Sequence, residues 1–346
     1  MSFTAHKGFR ASGRDSVLDA LRGFAIILVV LGHAIRGFSN SRLIFAGSSI
    51  IDNLIYSFHM PLMFVISGYA FGIKSKFSDV FHRLMKCIVD VYLPCLYLSF
   101  LIWLPKFLWS FLSLNNTENF ELSSIADLLA IPFHGYQVFW FLCVLFFIKV
   151  IHILTEQVIS DRKLHVLLWI ILFVVNAAMG GQEHSFYHYG LYFHAGYVIR
   201  QQGCITQEKH LGASYGAAIF LGGMLFFAVS YFYGLGNIFM KTVVAMLATL
   251  GIFILFYALN IDSTLLVTCG TVSMVIYALH SPVISSLRLI FRQLGWSLSV
   301  NSAVLFVFCS VVSVAIPLSV VLLYRNVKCL RWIEYIFYPG KLIFKK

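Results

Sequence analysis

Residues 18–35 read LDALRGFAIILVVLGHAI, an apolar run interrupted by Asp19, Arg22 and His33. A run of this length and hydrophobicity predicts a membrane-spanning helix. Arg22 and His33 are eleven positions apart, and at about 100° per residue that step closes to roughly 20° past three full turns. The two side chains therefore share one helix face, about 16 Å apart along the axis. A charged group at mid-bilayer costs about 2.5–3.5 kcal/mol on insertion scales. Two such groups aligned on one face point to a polar site inside the protein. Asp19, Arg22, Ile26, Val29, His33 and Arg36 follow one another at steps of three and four along the same stripe. A plainer reading pairs Asp19 with Arg22 at the interface and gives His33 a hydrogen bond to a neighbouring helix. The sharper one is a basic anchor at one end and a titratable imidazole deeper in, suited to general-base work near neutral pH.

The rest of the chain supports the membrane reading. Of 346 residues, 60% are hydrophobic and only 11% charged, against about 25% charged in a soluble domain. The mean hydropathy is +0.87. The apolar runs fill nearly the whole sequence and leave no room for an independent soluble domain. The fold class is therefore all-α: a polytopic integral membrane protein of about ten transmembrane helices. They are expected near 18–37, 50–73, 84–112, 138–156, 164–181, 188–201, 211–233, 239–260, 264–292 and 301–324. A basic N-terminal tail (1–17), a transmembrane domain (18–325) and a basic C-terminal tail (326–346) complete the organisation. The first run lacks a small-x-small cleavage site and reads as a retained helix. No repeat or low-complexity segment is visible.

The net charge of +11 does not indicate nucleic acid, because the basic residues fall in short loops and tails between apolar runs. With the N-terminus in the cytoplasm, seventeen Lys and Arg lie on that side and six on the other. This bias predicts an N-in, C-in topology. The seven cysteines form no Cys-x-x-Cys pair and mostly sit in apolar runs, where cysteine behaves as a small hydrophobe. The longest outside loop is expected over about 113–137, polar and slightly acidic.

Further polar groups recur in the apolar runs. The second run, DNLIYSFHMPLMFVISGYAFG (52–72), contains Asp52, His59, Pro61 and Ser67. Proline in a helix frees a backbone carbonyl, which suits either a polar cavity or a simple kink with a satisfied histidine. Asp52 reads as an interfacial carboxylate or as the group that orients an imidazole. Lys74, Lys76, Arg83 and Lys86 form a basic cluster, readable as topology charge or as a phosphate site. Trp140 opens the fourth run as a belt aromatic or a sugar-stacking platform. Tyr277, His280, Ser281 and Pro282 cluster in the ninth run. His184, His188 and His194 suggest a metal cluster, but no HExxH and no nearby acid completes a zinc site, so no metal is expected. Walker lysines and Gly-x-Ser-x-Gly elbows are absent from the sequence.

Taken in order, DALRGFAIILVVLGH, FHMPLMFVISGY, VFWFLCVLF, YFHAGYVIR and SMVIYALHSPV resemble the membrane-bound acyltransferase family 3. The resemblance covers about residues 15–325, and it is similar in flavour to the fucose 4-O-acetylase-like branch. It implies ten helices, an acyl-CoA donor (acetyl-CoA) on the cytoplasmic side, and O-acylation of a carbohydrate or glycolipid acceptor. His33 matches the family's catalytic histidine and Arg22 its paired basic residue. Arg83 corresponds to the basic residue after the second motif; the family's denser Arg-Arg pattern reads HRLMK here and offers Lys86 beside it. Some relatives carry a fused hydrolase-like domain, and the chain, ending at Lys346, is expected to lack one.

The resulting expectation is an O-acetyltransferase of the bacterial inner membrane. His33 would act as base with Asp52 and His59 in the catalytic group. Arg22, Arg83 and Lys86 would hold CoA. Ser67, Trp140 and His280 would position the substrate. Its partners would be the bilayer, the carbohydrate acceptor and glycan-assembly proteins. The alternatives are a transporter or flippase for a lipid-linked sugar or small solute, and a non-catalytic scaffold. Intramembrane histidines and broken helices also suit transport.

Overall fold

The computed structural model of the chain describes residues 15–40, 45, 47–71, 80–112, 123–159, 161–181, 185–203, 212–296 and 301–344. Lys74, Lys76 and His184 lie outside them, as does the N-terminal tail before residue 15. Among the described residues the chain forms helices and no strand. Backbone groups in hydrocarbon must be satisfied within the segment, and a helix does this without a partner.

Helix α1 (Ser16–Asn40) is the centre of the molecule. Ala20, Leu21, Ala25, Ile26, Val30, Ala34, Ile35 and Phe38 are all fully buried along it. A helix that buries apolar residues on most of its circumference belongs inside a bundle. It packs against α2 (Ser48–Phe71), α11 (Thr264–Thr271), α12 (Ser273–Gln293) and α13 (Ser302–Asn326). The contact with α11 is backbone to backbone. A Cβ at Gly23 would lie 1.9 Å from the Leu266 oxygen, and one at Gly270 would lie 1.8 Å from the Asp19 oxygen. Small residues let membrane helices approach this closely, where dispersion contacts replace the hydrophobic driving force that lipid removes.

Around this centre, α2 packs on α8 (Phe186–Gln202) and α10 (Ile238–Ala258), α9 (Ala213–Phe232) on α10, and α7 (Arg162–Ala178) on α8. The helices α3 (Val80–Cys87) and α4 (Leu93–Leu112) are joined through a π-helical turn, Ile88–Tyr92. The peripheral helices invert the soluble pattern. Leu221, Leu225, Phe226 and Phe232 of α9 and Leu164, Leu167, Ile171 and Val174 of α7 are exposed, as a lipid-facing surface requires.

Eight helices among the described residues are long and apolar enough to cross a membrane. The two further runs read from the sequence form α7 and α8, each 17 residues long and so just under a typical span. The protein is a polytopic all-helical membrane protein. Two local expectations change. The described part of the 113–137 loop is not open chain, because α5 (Ile125–His134) is built there on a Ser124–Asp127 capping box. That reciprocal pair satisfies two orphan donors at the helix start. Beyond α13, the C-terminal segment also folds back on the bundle through α14 (Ile333–Phe337) and α15 (Gly340–Ile343). Tyr97 donates to the Ile336 carbonyl, and Phe337 is buried.

Candidate active site

The stripe on α1 delivers His33 to a cluster built by three helices. The His33 ring lies 5.1 Å from that of His280 on α12 and 6.4 Å from Tyr56 on α2. Tyr56 is in turn 4.6 Å from His59. His59 Nδ1 is 2.7 Å from the Ile55 carbonyl, four residues back in its own helix. His280 Nδ1 is 2.7 Å from the Tyr277 carbonyl and 3.1 Å from that of Ile276. A carbonyl only accepts, so both rings must donate from Nδ1, which leaves each Nε2 with its lone pair. The Nε2 of His280 is buried with no hydrogen-bond partner among the described residues. Both helices are opened locally by proline, Pro61 in α2 and Pro282 in α12. Each ring frees the carbonyl four residues earlier, at Ser57 and Ala278.

His33 differs from its neighbours. His59 and His280 are fully buried, while His33 is half-buried. It makes no hydrogen bond among the described residues, so its nitrogens are available to a substrate hydroxyl. Asp52, expected to orient an imidazole, is held by Arg36 instead, with Nε 3.1 and 3.3 Å from its two oxygens. The Arg36 guanidinium lies 3.1 Å over the Tyr56 ring. Asp52 thus reaches the histidines through Arg36 and Tyr56. Arg36 belonged to the α1 stripe read from the sequence; its partner across the α1–α2 contact was not visible there.

The basic candidates gather at the other end of α1. Arg22 Nη1 is 3.0 Å from Asp19. Half-buried Lys149 lies within electrostatic reach of Arg22, Lys86 and Asp90, and Asp90 sits in the π-helical turn. Such turns interrupt the regular ladder and recur at functional sites. Arg83 is engaged by a carboxylate. Its Nη2 is 2.7 Å from Glu156, which also accepts from Tyr197 at 2.5 Å. Sequence reading passed over Lys149 and Glu156, although a lysine and a glutamate inside FFIKVIHILTEQ (146–157) are the kind of intramembrane charge that signals a site.

Two other candidates lie apart from the histidines. The Ser67 hydroxyl donates to the Met63 carbonyl at 2.8 Å within α2. Trp140 opens α6 (Trp140–Val158) and meets Tyr189 at 5.4 Å, beside Phe64. Aromatic contacts link this wall to His280 through Phe141 and Tyr277.

A second histidine group lies on α6, α7 and α8. His152, His165 and His194 are all buried, with ring nitrogens within 4.8 Å of one another. Of the histidines first singled out as a cluster, His194 takes part, and His184 lies outside the described residues. His188 packs instead against Phe173, Tyr189 and Tyr192.

Comparison with known proteins gives the family. The acyltransferase-3 family model, described as an acyltransferase domain, matches residues 15–323. Nodulation protein NolL of Mesorhizobium japonicum is 31% identical over 141 residues, covering 38% of this chain and 33% of that protein. The match thus spans about a third of the length of that relative. No solved structure matches.

Proposed function

The chain belongs to the acyltransferase-3 family, and from that premise we propose that it is a membrane O-acyltransferase. It moves an acetyl group from acetyl-CoA to a hydroxyl of a cell-surface carbohydrate or its lipid-linked precursor. The observation that carries the reading is His33: half-buried, free of hydrogen bonds among the described residues, and 5.1 Å from the His280 ring.

A ring nitrogen of His33 takes the acceptor hydroxyl proton as the oxygen attacks the thioester carbonyl. The tetrahedral adduct carries its negative charge on the former carbonyl oxygen, which needs donors. Collapse breaks the C–S bond, and the thiolate leaves with the proton returned from imidazolium. The products are the ester and free CoA. Arg22 and Lys86, with Lys149 beside them, suit the CoA phosphates. Arg22 lies about 16 Å along α1 from His33, a span for the donor's extended arm.

Mass spectrometry of surface glycans from cells with and without the protein tests the reading. Glycans lighter by the mass of one acetyl group in its absence are the expected result; identical glycans together with no CoA release by purified membranes would defeat it. A cysteine introduced beside Arg22 should also lose reactivity towards a thiol label when CoA is added, and equal labelling would argue against donor binding there.

A further inference from the structure

We propose that His152, His165 and His194 form a binding site for a divalent zinc-type metal ion that ties α6, α7 and α8 together. These residues come from three consecutive helices, and their side chains converge in a dry interior. His152 is 0% exposed, His194 2% and His165 5%. Phe71, Trp169 and Phe193 surround His152 at ring distances of 5.6, 6.2 and 5.7 Å.

The hydrogen bonding of the three rings is unusual for a purely structural histidine group. His152 Nε2 faces His194 Nδ1 at 3.3 Å. Two nitrogens bound tetrahedrally to one zinc at about 2.0–2.1 Å stand about 3.3 Å apart. Among the described residues His194 Nε2 is buried without a partner. On the far side of His152, Nδ1 is 3.5 Å from Glu156. At that distance Nδ1 has no hydrogen-bond partner among the described residues, and a small closure onto the carboxylate would set the tautomer of a metal-bound histidine. His165 has a similar second contact, with Nε2 2.7 Å from the Thr155 hydroxyl. That hydroxyl gives its own proton to the Ile151 carbonyl at 2.8 Å, so it accepts from His165 and leaves Nδ1 as the lone-pair nitrogen. Three imidazoles, one fixed from outside by Thr155 and one beside the Glu156 carboxylate, match the nitrogen donor set zinc favours.

The site is separate from the proposed catalytic histidine, and its role would be to brace. Glu156 joins it to Arg83, so the ion would also hold the α3 end in place. A fourth ligand, water or a small anion, completes the shell.

Metal analysis of the detergent-purified full chain, with any affinity tag removed, tests this directly. The expected result is about one zinc per chain, falling at least tenfold in His165→Ala and His194→Ala. Because alanine at a buried site could cost the fold, the wild type is also stripped with a chelator and reloaded with Co2+. A visible absorption band of tetrahedral cobalt, absent from His165→Gln protein that remains monodisperse, supports the site. Wild-type protein that retains neither zinc nor cobalt after loading, or variants that bind as much as wild type, would overturn it.

Discussion

Two groups of three histidines occupy this molecule, and they are wired in opposite ways. In the group around His33, the rings of His59 and His280 are tied to carbonyls of their own helices. Their Nε2 lone pairs are left over, and His33 is half-buried and unbonded among the described residues. In the group around His152, the rings contact one another, a hydroxyl and a carboxylate, and all are sealed from the surroundings. In the proposed roles the same side chain would serve proton transfer in the first setting and cross-linking in the second. What separates them is which nitrogen the backbone engages and whether one ring stays open.

The contrast can be broken from either side. The largest expected effect is at the helix contact that holds the first group in register. Gly270→Val puts a branched side chain where even a Cβ would be 1.8 Å from the Asp19 oxygen. Overpacking costs about 1–3 kcal/mol where neighbours can yield, and a backbone cannot yield easily. Loss of monodisperse protein on size exclusion is expected; a variant as stable as wild type would mean that α1 and α11 are not in contact.

A smaller effect is expected at His280. Removing its ring by His280→Ala shifts the wall beside His33, and misplacement of a reacting group costs about 10²-fold in rate. His165→Ala, in the other group, should leave the rate per folded protein close to wild type while lowering Tm. Equal loss of rate in both variants would erase the distinction between the groups.

Smaller again is Glu156→Gln, which removes the partner of Arg83 and the neighbour of His152. Hydrogen bonds to charged groups contribute about 1.5–3 kcal/mol, so a drop in Tm of several degrees is expected. The smallest change is Arg36→Ala. The Arg36 side chain is 50% exposed, and an exposed ion pair is worth about 0.2–1 kcal/mol. Thermal melts should move little, with the larger change in acceptor KM if the Asp52–Arg36–Tyr56 string lines the acceptor path.

The sequence revealed one of these groups better than the other for a physical reason. The α1 stripe is a local pattern: helix geometry alone aligns Arg22, His33 and Arg36. That His280 meets His33 depends on α1 and α12 packing together, which no single-helix periodicity reports. The His152 group is wholly non-local, with one ring on each of three helices. The short-range spacing of His184 and His188 is a local signal that does not report it; of the described histidines in that stretch, His194 joins the group and His188 does not. Arg83 was legible as part of a basic cluster and Asp52 as an interfacial carboxylate, but their partners Glu156 and Arg36 were fixed by tertiary packing. The helical runs themselves were legible throughout, since hydrocarbon leaves the backbone few other options. The helix α5 was hidden because its capping box, Ser124 to Asp127, lies in a stretch whose polarity reads as loop.

The most direct test compares acetyl transfer by His33→Gln protein and wild type in the same membranes, supplied with labelled acetyl-CoA and native glycan acceptor. Glutamine keeps a polar side chain at the site but cannot take up a proton. General-base catalysis contributes about 10²–10⁴-fold, so a fall of that size with unchanged protein level is predicted. Transfer by His33→Gln at the wild-type rate would contradict the assignment of His33 as the base.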